Sequence, residues 1–199
     1  INMKKPMAIL LLVLLIVGIG LLFAFKSDGI EMPAYKVVKR IGELEIRTYP
    51  KMLVAQTSLA ESTKEQRMSN GFRTIAGYIF GGNERNQKIA MTSPVVMKMG
   101  DSASMYFMMP KEYSIAELPQ PNSKQVLLQE EASKTLAVIR FGGFSSENKI
   151  AEYCEKLAAA LAKNNIQSKG AFMYMGYNAP WDVINRRNEV AVELVNINE

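Results

Sequence analysis

Among 199 residues there is no histidine, a single cysteine (Cys154) and 13 methionines, and this set bounds the chemistry open to the chain. Without an imidazole, a hydroxyl has no ordinary base to activate it. Ser93, in residues 88–95 (KIAMTSPV), therefore reads as structural rather than as a nucleophile. Pro94 beside it cannot donate to a sheet ladder and marks an edge or bulge, where Thr92 or Ser93 can satisfy the backbone left open. Glu189 and Glu193 are the carboxylates an enzyme would have to bring together. Glu189, however, follows Arg186 and Arg187 in the run RRNEV, where it can pair with an arginine while Asn188 holds a turn. No metal-ligand cluster or nucleotide fingerprint is visible. Gly81-Gly82-Asn83 follows a helical pattern instead of opening one, so it is a helix stop and not a phosphate cradle. Cys154 falls on the inward face of a helical pattern and reads as an inert core thiol.

The elements that must position these residues follow from hydrophobic periodicity. Residues 35–40 and 44–49 read as strands around a turn at Gly42, and 52–59 as a third. Leu44, Ile46 and Thr48 alternate with Glu45, Arg47 and Tyr49, as in a strand with one buried face. Ser62 with Glu65 forms a capping box that opens a helix. Its apolar positions Met68, Phe72, Ile75, Ala76 and Ile79 share one face, and Gly81 and Gly82 end it. Strands are predicted at 89–99 and 104–109, then at 125–130 and 135–141. Ser145 opens a second helix with Ile150, Tyr153, Cys154, Leu157, Ala158 and Leu161 inward, and strands at 171–177 and 189–195 follow. Each half is strands, helix, strands. That order predicts a duplicated α+β fold with two helices outside a closed or nearly closed antiparallel sheet.

Residues 6–25 are a 20-residue uncharged stretch rich in Leu, Ile and Val, bracketed by Lys4, Lys5 and Lys26. At about 1.5 Å per residue this reaches roughly 30 Å, the hydrocarbon thickness of a bilayer. The run exceeds the ~7–15 residues of a signal-peptide apolar region, and no clean small-x-small site follows it. The pattern predicts three regions: a single-pass membrane anchor over residues 1–26, a tether over 27–34, and a domain over 35–199 on the extracytoplasmic side. Setting aside those three lysines, 21 basic residues face 19 acidic ones, against a whole-chain net charge of +5. So balanced a domain lacks the basic stripe of a nucleic-acid binder. The cluster Lys36, Lys39 and Arg40 reads as a solvated strand edge.

Residues 70–95 (NGFRTIAGYIFGGNERNQKIAMTSPV) and 177–190 (YNAPWDVINRRNEV) carry the clearest family signal. EIRTYP at 45–50, YFMMP at 106–110, LPQP at 118–121 and VIRFGGFS at 138–145 add to it, all in the expected order. From about residue 31 onward the chain resembles the SOUL family of haem-binding proteins. The resemblance implies a distorted antiparallel β-barrel of two pseudo-repeated halves flanked by two helices. It also implies an apolar site for haem or another porphyrin, held non-covalently, and no catalytic machinery. By the same resemblance the tetrapyrrole lies against the helix face Met68, Phe72, Ile75, Ala76 and Ile79. Arg67, Arg73 and Arg186 are then candidates for its propionates, and Trp181 for stacking. The plainer alternative is a core stripe with solvated arginines. Some family members carry a histidine after the arginine of the EIR motif, where this chain has Thr48, so no iron ligand is carried over. A methionine thioether can ligate haem iron, but most methionines here fall on apolar faces and fill space. Affinity is therefore expected from apolar contact and propionate pairing. The competing readings are an enzyme or sensor acting on another small hydrophobic ligand, and a protein-interaction module.

Overall fold

The structure is a computed structural model that describes residues 30–59, 66–179, 182 and 184–195. The expected anchor over 6–25, the capping box Ser62/Glu65 and Trp181 lie outside the described residues. Among the described residues, no helix is long and apolar enough to cross a membrane.

Among the described residues nine strands and two helices follow in the order β1 (Lys36–Ile41), β2 (Leu44–Tyr49), β3 (Met52–Ser58), α1 (Arg67–Ile79), β4 (Val95–Lys98), β5 (Ser104–Met108), β6 (Leu127–Glu131), β7 (Lys134–Phe141), α2 (Glu147–Lys163), β8 (Ser168–Gly176) and β9 (Asn188–Leu194). They form one antiparallel sheet ordered β1-β2-β7-β9-β8-β4-β5-β3-β6. The order is two-fold about the β8·β4 seam. The module β3-α1-β4-β5 matches β7-α2-β8-β9, and the strand preceding each module, β2 or β6, pairs with the first strand of the other. This is the pattern that repeated halves require.

Side chains alternate between the two faces of the sheet. Ala137, Ile139 and Phe141 of β7 face α2, which packs Ile150, Leu157 and Leu161 against them. Ile75, Tyr78 and Ile79 of α1 pack on Ala55, Met105 and Phe107 of β3 and β5. Leu136 and Val138 point the other way, into a third cluster with Tyr49, Val54, Tyr106 and Met175. That cluster joins β2 to β3, which stand near opposite ends of the ladder, so the sheet is curled around it. Lys134 of β7 closes on Glu131 of β6 across the same gap. The hydrogen-bonded ladder itself does not close, because β1 and β6 are its ends. The fold is a curled half-barrel rather than a complete barrel. Exposed lysines on β1 guard one edge, as an unpaired strand requires.

Local chemistry accounts for most boundaries. Gly42, at φ +60°, makes the tight β1–β2 turn, where a positive φ is required. At the end of α1, the Gly82 N–H donates to the Gly77 carbonyl and the Gly81 N–H to the Tyr78 carbonyl. This is a Schellman stop, with Gly81 at φ +111°. The N-cap of α2 is Ser146, whose hydroxyl accepts from the Lys149 N–H. It is not Ser145, the residue expected from sequence, because the Ser145 hydroxyl is engaged with that of Tyr174 at 2.8 Å. Ala158, expected inward, is exposed on α2. The strand expected over 89–99 shrinks to Val95–Lys98. Pro94 breaks the ladder, and Thr92 and Ser93 donate instead to the carbonyls of Met108 and Tyr177.

Candidate functional site

The two-fold plan leaves a gap by construction. Helix α1 covers β3 and β5, and α2 covers β7, β9 and β8, so β4 at the seam runs between them with little helix above it. A cleft of about 480 Å³ opens there, within the ~300–1,000 Å³ of small-molecule sites. Met97 and Met99 form its floor, Arg67 and Met68 of α1 one wall, and Ile150 and Ala151 of α2 the other. Strand alternation sends Lys98 to the opposite face of the sheet, where it pairs with Glu131 at 3.1 Å.

The nine residues expected at the site divide among several places. Arg67 and Met68 lie together in the cleft. Arg67 is half-buried, and its Nε is buried without a hydrogen-bond partner. Phe72 is 37% exposed, with its ring tilted against Phe107 at 5.4 Å. Ile75, Ala76 and Ile79 are buried beneath α1 as core. Arg73 projects from the other flank of α1 into a cavity of about 570 Å³ shared with Thr57, Asn70 and Lys124. Arg186 borders a third depression of about 770 Å³, lined by Glu43, Arg140 and the backbone of Gly142 and Gly143. This is the largest of the three, but apart from Phe141 its walls are charged or polar side chains and glycine backbone, so it offers less apolar surface than the seam cleft. One loop joins the two, since Gly142 and Gly143 border the depression while Ser145 and Asn148 border the cleft. Between them in sequence, exposed Phe144 lies under the Arg186 guanidinium at 4.8 Å. Trp181 lies outside the described residues. Met97, Met99, Ile150 and Ala151 line the cleft and are site residues that sequence reasoning did not single out.

On the concave face lies a buried charge network. Glu189 is fully buried and Arg47 is 3% exposed. Arg47 donates to both Glu189 oxygens at 2.8 and 3.1 Å, Arg187 donates from Nε and Nη2 at 3.0 and 2.8 Å, and the Tyr177 hydroxyl donates at 2.9 Å. The Arg47 guanidinium also lies over the Tyr35 ring. Burial alone would pull the Arg47 pKa down, but the bonded carboxylate more than offsets this and raises it. Burial, reinforced by the Glu189 charge, pushes the Tyr177 phenol well up. With five donors on its two oxygens, Glu189 is a structural counter-ion rather than a free acid or base. Glu193 is on the surface, paired with Lys169 at 3.0 Å. Cys154 is half-buried against the α2 core, and burial pushes its thiol up to about 11. Among the described residues no group of His, Cys, Asp or Glu could hold a metal ion.

Comparison with known proteins agrees with this architecture. The family model described as SOUL heme-binding protein matches residues 30–193. Heme-binding protein 2 of Mus musculus is 28% identical over 185 residues, covering 86% of this chain and 90% of the mouse protein. Heme-binding protein 2 of Homo sapiens is 28% identical, with 82% and 86% covered. Among solved structures, the C-terminal domain of EcmrR superposes with a TM-score of 0.60 at 9% identity, covering 82% of this chain and 99% of that one. At that identity the likeness is one of fold. The fold class is that of a curled antiparallel half-barrel carrying two helices on its outer face. The chain belongs to the SOUL heme-binding protein family.

Proposed function

We propose that this protein binds haem or another porphyrin, reversibly and non-covalently, in the cleft between α1 and α2. The observation that carries the reading is the chemistry of the cleft: an apolar floor and walls with Arg67 at the edge, its Nε buried and unpartnered. An unpaired buried donor is costly, and a ligand carboxylate would satisfy it. The sequence relatives named heme-binding proteins support the same ligand class. Burying even ~200 Å² of apolar ring surface contributes roughly 5 kcal/mol before ordering costs, enough for useful affinity without a histidine–iron bond. When bound, haem would supply a redox-active iron and a visible absorption band. The chain's own part is to shelter the ring and meet its propionates. Residues 6–25 tether this domain to the bilayer, with the domain on the extracytoplasmic side.

Two measurements test the reading. Titrating the detergent-solubilised full chain with hemin and with iron-free protoporphyrin IX should give saturable one-to-one binding of both. Absence of both would sink the porphyrin assignment. An alkaline carbonate wash of membranes should leave the full chain in the pellet, whereas release of a shortened chain beginning near Ser27 would mean that the apolar run is a cleaved signal.

A further inference from the structure

The porphyrin reading leaves open what the iron meets, and the cleft narrows the choice. The sequence has no histidine. The sulfur of Cys154 and the buried phenols of Tyr78, Tyr106 and Tyr177 do not line the cleft. Among the described residues, the side-chain donors that face it are the thioethers of Met68, Met97 and Met99, together with the oxygens of Ser145, Glu147 and Asn148. The three thioethers are not equivalent. Met97 packs against both helix-side cores and Met99 against one of them, so both are held as floor. Met68 belongs to no core cluster, is 37% exposed, and stands on the α1 wall next to Arg67. A flat ring held in this cleft would have the side chains of both helices beside it and those of β4 beneath. The wall opposite Met68 presents Ile150 and Ala151, which have no donor atoms, and at the start of α2 Glu147 and Asn148, whose donors are hard oxygens rather than a soft sulfur.

We propose that Met68 is the axial ligand to the haem iron, and that the site consequently prefers ferrous over ferric haem. This rests on the porphyrin reading of the same cleft. The Met68 Sδ lone pair donates to iron, and no electron or proton is transferred in forming the bond. A neutral, soft thioether stabilises the lower oxidation state and raises the potential of the iron. A hard carboxylate such as Glu147 would do the opposite. Met68 is also placed to work with its neighbour: Arg67 fixes a propionate from the same turn of helix that presents the sulfur.

The test compares three probes on the full chain under anaerobic conditions: hemin, hemin reduced with dithionite, and iron-free protoporphyrin IX. Ferrous haem should bind about tenfold more tightly than ferric, equivalent to a rise of about 59 mV in midpoint potential on binding. In Met68→Leu, a volume-conserving change, the ferrous-to-ferric affinity ratio should fall to about one, whatever the absolute affinities. Met32→Leu, at an exposed methionine that does not line the cleft, should keep the ratio. A ratio at or below one in the wild type, or one that survives in Met68→Leu, overturns the proposal. If iron-free ring still binds in that case, the cleft assignment stands while the ligand assignment falls. If no ring binds in any form, both fall together.

Discussion

Replacing Glu189 with alanine should destabilise the fold by about 3–5 kcal/mol, the cost of leaving buried charge without its partner. Its carboxylate is fully buried and takes donors from Arg47, Arg187 and Tyr177, and Arg47 is itself almost completely enclosed. Without the carboxylate, Arg47 keeps Glu45 on its Nε at 2.7 Å, but its Nη1 and Nη2 lose their anionic partner in a site almost closed to water. In a domain of this size each kcal/mol moves the midpoint of thermal unfolding by about 2–4 °C, so a loss of roughly 10 °C is expected by circular dichroism. Glu193→Ala removes a carboxylate from the same strand, but one half-exposed and paired only with Lys169. Its effect should stay within about 0.5–1 kcal/mol, as for other surface ion pairs. Equal effects for the two variants would show that the buried network does not hold the half-barrel together.

That network also shows where local reading of this sequence stops. EIRTYP and RRNEV stand out as motifs, and the alternation along 44–49 places Arg47 on the face opposite Leu44 and Ile46. Nothing local says that Arg47 and Glu189, 142 positions apart, share two hydrogen bonds. Where a signal is carried by one or two backbone positions, the sequence reading matches the structure. The tight turn at Gly42 and the Schellman stop at Gly81 and Gly82 are both legible because positive φ selects glycine. Where adjacent residues have equal capping chemistry it slips, as with Ser145 and Ser146, since only the Tyr174 contact decides which is free to cap. The site is less legible for the same reason. A period of 3.6 groups Met68, Phe72, Ile75, Ala76 and Ile79 on one stripe, yet the stripe is wider than the cleft. Its far end is pressed onto β3 and β5 while its first turn overhangs the seam. The floor exists only because β4 pairs with β8, a contact between halves that no pattern within either half specifies.

Filling the cleft should abolish porphyrin binding while leaving the fold intact, and Ala151→Trp is the substitution that separates the two. Ala151 is exposed on α2, outside the core formed by Ile150, Leu157 and Leu161, and lines the wall facing Met68. An indole there would fill the slot the ring must enter. Because the side chain it replaces supports nothing beneath it, the stability cost should be limited to the difference in helix propensity, about 0.5–0.7 kcal/mol. The loss of affinity should reach at least ~30-fold, or about 2 kcal/mol, for hemin and iron-free ring alike, because exclusion acts on the shape of the ring and not on its metal. Ala159→Trp puts the same indole on an exposed position of α2 that does not line the cleft, so it should bind like the wild type. If Ala151→Trp instead retains full affinity with an unchanged melting curve, the ring does not sit between the helices. The depression bordered by Arg186, with Phe144 beside it, would then be the place to look, because the loop 142–146 that reaches the cleft through Ser145 lines it through Gly142 and Gly143.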